Sequence, residues 1–157
     1  MKTTKLKSVL IALDYDPTSQ KVAEAGYALA QSTNAEVTLL HVLVNSTMYS
    51  TAYPTMGAWQ IDPLEVLENM KIQNDAAINF LKKAKNHLND SSIRIIQKEG
   101  DFANVILETA DELKVDCIVM GSHSQKWLEN IIIGSVTEEV LRKTTIPLFI
   151  VPTKKQE

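Results

Sequence analysis

The chain has one cysteine in 157 residues, Cys117, so it can form no internal disulfide, and neither a zinc site nor a CxxC redox pair can be assembled from it. Long hydrophobic runs are missing too. The longest apolar stretches cover five to eight residues, well short of the roughly 20 that a membrane helix needs. Lys2, Lys5 and Lys7 precede an apolar stretch in the manner of a signal peptide, but Val9–Leu13 is only five residues long and stops at Asp14. There is no basic excess: the net charge is −3, where a nucleic-acid-binding surface usually shows clustered Lys and Arg. Internal repeats and low-complexity tracts are absent. These absences predict a soluble, cytoplasmic protein with neither nucleic acid nor membrane as partner. Its length fits one domain spanning residues 1–157.

What is present suffices for a core: 45% of residues are apolar and 22% charged. Five short β-rich runs recur, at Leu6–Leu13, Glu36–Val44, Ile93–Lys98, Asp116–Met120 and Ile146–Val151. VTLLHVLV, CIVM and PLFIV are near-continuous apolar segments, the mark of strands covered on both faces. Helical spacing lies between them. Val22, Gly26 and Leu29 share one face, as do Ala77, Leu81, Ala84 and Leu88; Phe102, Ile106, Ala110 and Leu113 mark a third helix, and Val136, Val140 and Leu141 a fourth. Asp16-Pro17 and Asp62-Pro63 read as N-caps followed by proline, and Ser135 with Glu138 as a capping box. The order β-α-β-α-β-α-β-α-β predicts an α/β fold, an open five-stranded parallel sheet with helices on both faces. The eighteen residues Asn45–Asp62 are the one long irregular segment, and such loops are usually functional or mobile.

Ligands of such sheets bind beyond the carboxyl ends of the strands, where strand order reverses. Only five glycines exist, and Gly100, Gly121 and Gly134 all fall near this rim. Each is open to an ordinary reading as a turn residue. Neither GxxxxGK[ST] nor GxGxxG occurs, which argues against a P-loop NTPase and an ordinary dinucleotide fold. In their place stands GSHSQKWLENIIIGSVTEEVL, Gly121 to Leu141. Gly134-Ser135 opens a helix there, and a helix N-terminus with free N–H groups is an anion site. Ser135 either caps that helix or donates its hydroxyl to a phosphate, and the two roles can coexist.

This segment resembles the G-x-x-G-x9-G-[ST] motif in ATP-binding members of the universal stress protein family. Gly121, Gly134 and Ser135 match it, with Ser124 in place of the second glycine and nine residues between Ser124 and Gly134. The likeness extends over nearly the whole chain: VLIALD ending at Asp14, LLHV at Leu39–Val42, EGD at Glu99–Asp101, and the closing IPLFIVP. The resemblance implies sheet order 3-2-1-4-5 and a stress-response regulatory protein that binds adenine nucleotide. Ala12 and Asp14 would border ribose and adenine, Asp14 accepting from a ribose hydroxyl. Val42 would contact adenine, and Met120 and Gly121 the ribose. Ser124, Gly134, Ser135 and Val136 would hold the phosphates, bridged by Mg²⁺. Gln125 stands where the family often has Arg or Lys, with Lys126 next to it. The family pattern also implies a homodimer through the last strand, Ile146 to Val151.

Other residues read more simply. His41 is expected to pack in the core, His87 to be exposed and Cys117 to be inert, while His123 lacks a carboxylate to orient it. Trp59 and Trp127 fall in loops, either covering the site or packing locally. No catalytic residue or protein metal ligand set is expected, so a binding module is favoured over an enzyme. The alternatives are a slow ATPase or adenylating enzyme of the same fold, and a dimeric relative that has lost nucleotide binding.

Overall fold

The computed structural model describes residues 5–44, 62–122 and 133–153. Among them are strands β1 (Ser8–Ala12), β2 (Glu36–Leu43), β3 (Arg94–Glu99), β4 (Cys117–Gly121) and β5 (Leu148–Val151). Helices α1 (Ser19–Thr33), α2 (Pro63–Leu88), α3 (Phe102–Glu112) and α4 (Ser135–Lys143) alternate with them. All pairings are parallel and the order is β3-β2-β1-β4-β5, as the family resemblance implied. The chain winds outward from β1 to β2 and β3, then returns to β1's other side with β4 and β5. The strand order therefore reverses between β1 and β4.

The apolar runs are continuous because successive side chains enter two different layers. Val9 and Ile11 of β1, Leu39 of β2 and Val119 of β4 pack with Val22, Ala23 and Ala30 of α1 and Leu81 of α2. Leu10, Leu40, Val42, Ile118 and Met120 face the opposite way, against Ala103, Ile106 and Ala110 of α3 and Val140 of α4. Leu10, Ile11, Leu39, Leu40 and Ile118 are fully buried, each such side chain contributing about 1.5–3 kcal/mol of transfer free energy. Gly26 lets α1 lie close to the sheet: a Cβ there would stand 2.7 Å from Ile11 Cδ1 and 3.0 Å from Val119 Cγ1.

One helix start agrees with expectation and two require correction. Asp62 caps α2, its carboxylate accepting from the Leu64 N–H at 2.9 Å with Pro63 in the first turn. Asp16 does not cap α1. Its carboxylate accepts from the Thr18 N–H at 2.8 Å, closing an Asx turn, and Thr18 becomes the N-cap of a helix that begins at Ser19. The Ser135–Glu138 capping box does not form either. Gly134 is the N-cap, Ser135 already lies in the first turn, and the Glu138 carboxylate pairs with Arg142 at 2.6 Å. Leu141, expected on the inner face of α4, is 48% exposed, and Val140 alone of that pair is buried.

His41 is buried as expected. Its Nδ1–H donates to the Leu13 carbonyl at 2.7 Å, and its ring packs against Tyr15 and Phe80. His87 is exposed, with Nε2 2.7 Å from the Glu24 carboxylate, linking α2 to α1. No helix among the described residues is long and apolar enough to cross a membrane.

Candidate functional site

The reversal of strand order leaves a crevice above β1 and β4, where the described crossover helices diverge to opposite faces. It holds a cleft of about 660 Å³, within the range of small-molecule sites. Its apolar side is made by Leu40 and Val42 of β2, Met120 of β4, and Phe102 and Ile106 of α3. Val42 and Met120 are each 5% exposed, so this surface is fixed by the core beneath it. Ala12, Leu13 and Asp14 form the edge at the end of β1, followed by Thr18 and Ser19 at the start of α1. Gly121 and the segment Ile133 to Glu138 form the opposite side, together with Thr153.

The two ends differ chemically. On the β1 side, the exposed Asp14 carboxylate accepts from the Asp16 N–H at 3.2 Å through one oxygen. A carboxylate there suits a ligand hydroxyl, because it accepts at both oxygens. On the β4 side, α4 presents its N-terminus. The first amide closing onto the helix is that of Glu138, which donates to the Gly134 carbonyl at 2.9 Å. The amides of Ser135, Val136 and Thr137 precede it and have no partner within the helix, which gives this turn the free donors and the dipole that suit an anion. The Gly134 N–H is used differently: it donates to the Ser122 carbonyl at 3.2 Å. Thr137, 4% exposed, adds a second anchor by donating its hydroxyl to the Gly121 carbonyl at 2.9 Å.

Among the described lining residues the charged side chains are Asp14 and Glu138, both acidic. Among the described residues, negative charge on a ligand would therefore meet amides, hydroxyls and the helix dipole. No group of three or more His, Cys, Asp or Glu among the described residues could hold a metal ion. With the described residues alone, a divalent ion would suit this site as a companion of ligand phosphates, which is how Mg²⁺ is ordinarily bound.

Of the residues expected at the site, Ala12, Asp14, Val42, Met120, Gly121, Gly134, Ser135 and Val136 all line this one cleft. Ser124 lies outside the described residues, as do His123, Gln125, Lys126, Trp127, Trp59 and residues 45–61. Sequence reasoning missed Leu40, Phe102 and Ile106. Two-residue alternation from Val42 would have found the first, and the third-helix face already named the other two. It also missed Thr18, Ser19 and Thr153, for which no local signal exists.

The model of the universal stress protein family matches residues 5–152. Universal stress protein MJ0531 of Methanocaldococcus jannaschii is 31% identical over 153 residues, covering 96% of this chain and 85% of that protein. Among solved structures, hypothetical protein MJ0577 superposes with a TM-score of 0.74 at 27% identity, covering 98% of this chain and 100% of that one. A universal stress protein crystallised in complex with cAMP shares the fold at 18% identity, with a TM-score of 0.63 over 96% of this chain and 100% of that one.

Proposed function

The chain belongs to the universal stress protein family, and from that premise we propose that it is a stress-response regulatory module that binds adenine nucleotide in the cleft above β1 and β4. One observation carries this reading: an apolar slot and a helix N-terminus face the same cleft, with a carboxylate at its third side. A flat apolar base, a hydroxyl-bearing sugar and a phosphate chain need those three surfaces together. The related protein that binds cAMP supports the same ligand class.

In this reading Val42 contacts the adenine, with Ala12 beside it, and Asp14 accepts from a ribose hydroxyl. Met120 and Gly121 flank the sugar. The amides of Ser135 and Val136 and the Ser135 hydroxyl meet the phosphates, while Gly134 permits their close approach and Ser124 completes the motif. Mg²⁺ accompanies the phosphates and offsets their charge.

Turnover is slow or absent. Phosphoryl transfer ordinarily uses a cation on the transferred group and a residue that positions water. Among the described lining residues there is no Lys or Arg. Glu138 is the single observation that favours slow hydrolysis, and its carboxylate is engaged by Arg142 at 2.6 Å. Multiple-turnover hydrolysis at the ~1 to 1,000 s⁻¹ of ordinary enzymes would promote the enzymatic reading.

The protein is further proposed to be a cytoplasmic homodimer built on a single domain. β5 is one of the sheet's two outer strands and Phe149 on it is 40% exposed, so pairing with a second β5 across a two-fold axis would cover an apolar edge that no other described strand pairs with. Light scattering at micromolar concentration should give twice the monomer mass; a monomer mass would refute the pairing.

The functional reading is tested by mass spectrometry of small molecules released on denaturing the purified protein, backed by calorimetric titration with ATP. An adenine nucleotide at near-stoichiometric amount, or saturable ATP binding, is expected. Neither would place the chain among relatives that have lost nucleotide binding.

A further inference from the structure

Ser122 does not line the cleft, yet the cleft's anion-binding end is built on it. It is 5% exposed, and all its polar atoms are engaged. Its N–H donates to the Val151 carbonyl at 2.9 Å, extending the β4–β5 ladder by one residue, and its carbonyl accepts from the Gly134 N–H at 3.2 Å. Its Oγ accepts from the Thr153 N–H at 3.0 Å and hydrogen-bonds Thr153 Oγ1 at 3.3 Å, either hydroxyl being able to donate. Thr153 follows the edge strand β5 by two residues and does line the cleft. One buried serine thus holds three separate segments: the end of β4, the start of α4 and the chain leaving β5.

We infer that Ser122 is a positioning residue for phosphate, setting α4's first turn against the sheet and coupling that turn to edge strand β5 through Thr153. The physical reason lies in how an anion is held. Three amides reach one phosphate group only if the turn carrying them is fixed to within a fraction of an ångström, because hydrogen-bond strength falls steeply with distance and angle. The hydroxyl contributes the link to Thr153, while the backbone of the same residue holds Gly134. Loss of the hydroxyl strips the Thr153 amide of its acceptor and frees Ser122 to shift, carrying Gly134 with it. The ligand's phosphate end should feel this and its adenosine end should not.

The inference deepens the adenine-nucleotide reading and rests on it for the ligand's identity, but the α4 anchoring can be read without ligand. Calorimetric titrations with adenosine, AMP and ATP should be run on the wild type, Ser122→Ala and Ser122→Thr, and amide hydrogen exchange measured on each without ligand. Ser122→Ala is expected to weaken AMP and ATP on the order of tenfold while leaving adenosine within about twofold. Ser122→Thr, which keeps the hydroxyl, should restore most of the loss. Exchange at Gly134 and Glu138, the hydrogen-bonded amides of this turn, should quicken in Ser122→Ala, with that of β1 and β2 unchanged. Thr153→Val removes only the partner hydroxyl at a partly exposed position, and it should weaken phosphate-bearing ligands in the same sense; it serves if Ser122→Ala does not fold. Equal loss for adenosine and ATP, or unchanged exchange at the start of α4, would overturn the inference. If the wild type binds neither adenosine nor nucleotide, the functional reading falls, and the exchange data alone decide whether Ser122 anchors α4.

Discussion

The Thr137 hydroxyl donates to the Gly121 carbonyl across 2.9 Å, joining the first turn of α4 directly to the end of β4. A helix N-terminus separated by chain from its strand is in this way held against it from inside the helix. Thr137→Val keeps the shape and removes the donor. It should cost about 1 kcal/mol in denaturant unfolding, the usual net worth of one hydrogen bond. ATP affinity should fall more than adenosine affinity; an equal fall would mean that the bond serves stability alone.

Gly134 adopts φ −67° and ψ 158°, a conformation open to any residue, so its lack of a side chain is not required by the backbone. Gly134→Val should lower stability modestly, valine being a poor N-cap, while weakening ATP about tenfold or more, equivalent to about 1.4 kcal/mol. Unchanged ATP binding by calorimetry, with the fold intact, would remove this helix start from the site.

Gly26 is required for packing. Valine there improves helix propensity by a few tenths of a kcal/mol, but its Cβ alone would meet Ile11 and Val119 at 3.0 Å or less. Both neighbours are fully buried and have little room to move. Overpacking of about 1–3 kcal/mol should win, lowering Tm in a thermal melt. A raised Tm would show that α1 can move away from the sheet.

Burial pushes the Cys117 thiol above its ordinary pKa, with the nearby Asp116 charge adding to it. The residue is 5% exposed. A disulfide reagent at neutral pH should therefore label the native protein far more slowly than the urea-unfolded chain, since the thiolate is the reacting species. Equal rates would mean that β4 opens readily.

The sheet was legible in the sequence because both of its faces are buried: Leu39-Leu40 and Ile118-Val119 send neighbouring side chains into opposite layers, which produces unbroken apolar runs. Asp14 and Gly121 could be placed at one rim because they follow or end strands, and the family resemblance added Val42, Gly134 and Ser135. Capping was less legible. Asp16 can serve either as an N-cap or as the head of an Asx turn with the same carboxylate, and only the path of the chain after Pro17 decides. At Ser135 the start of α4 is set by the Gly134 N–H reaching Ser122, a contact local propensity does not encode. Ser122 and Thr153 were invisible for the same reason: they meet across 31 residues of sequence.

In the proposed function one cleft takes adenine, sugar and phosphate at once. An amide chemical-shift titration of the isotope-labelled protein with Mg²⁺–ATP tests it most directly. Saturable shifts should appear together at Ala12 to Asp14, at Val42, at Met120 and Gly121, and at Ser135 to Thr137, with β3 and the C-terminal half of α2 unmoved. Adenosine should reproduce the first three groups and leave Ser135 to Thr137 nearly still. Absence of saturable shifts at millimolar nucleotide, or shifts confined to residues outside the cleft, would contradict the account.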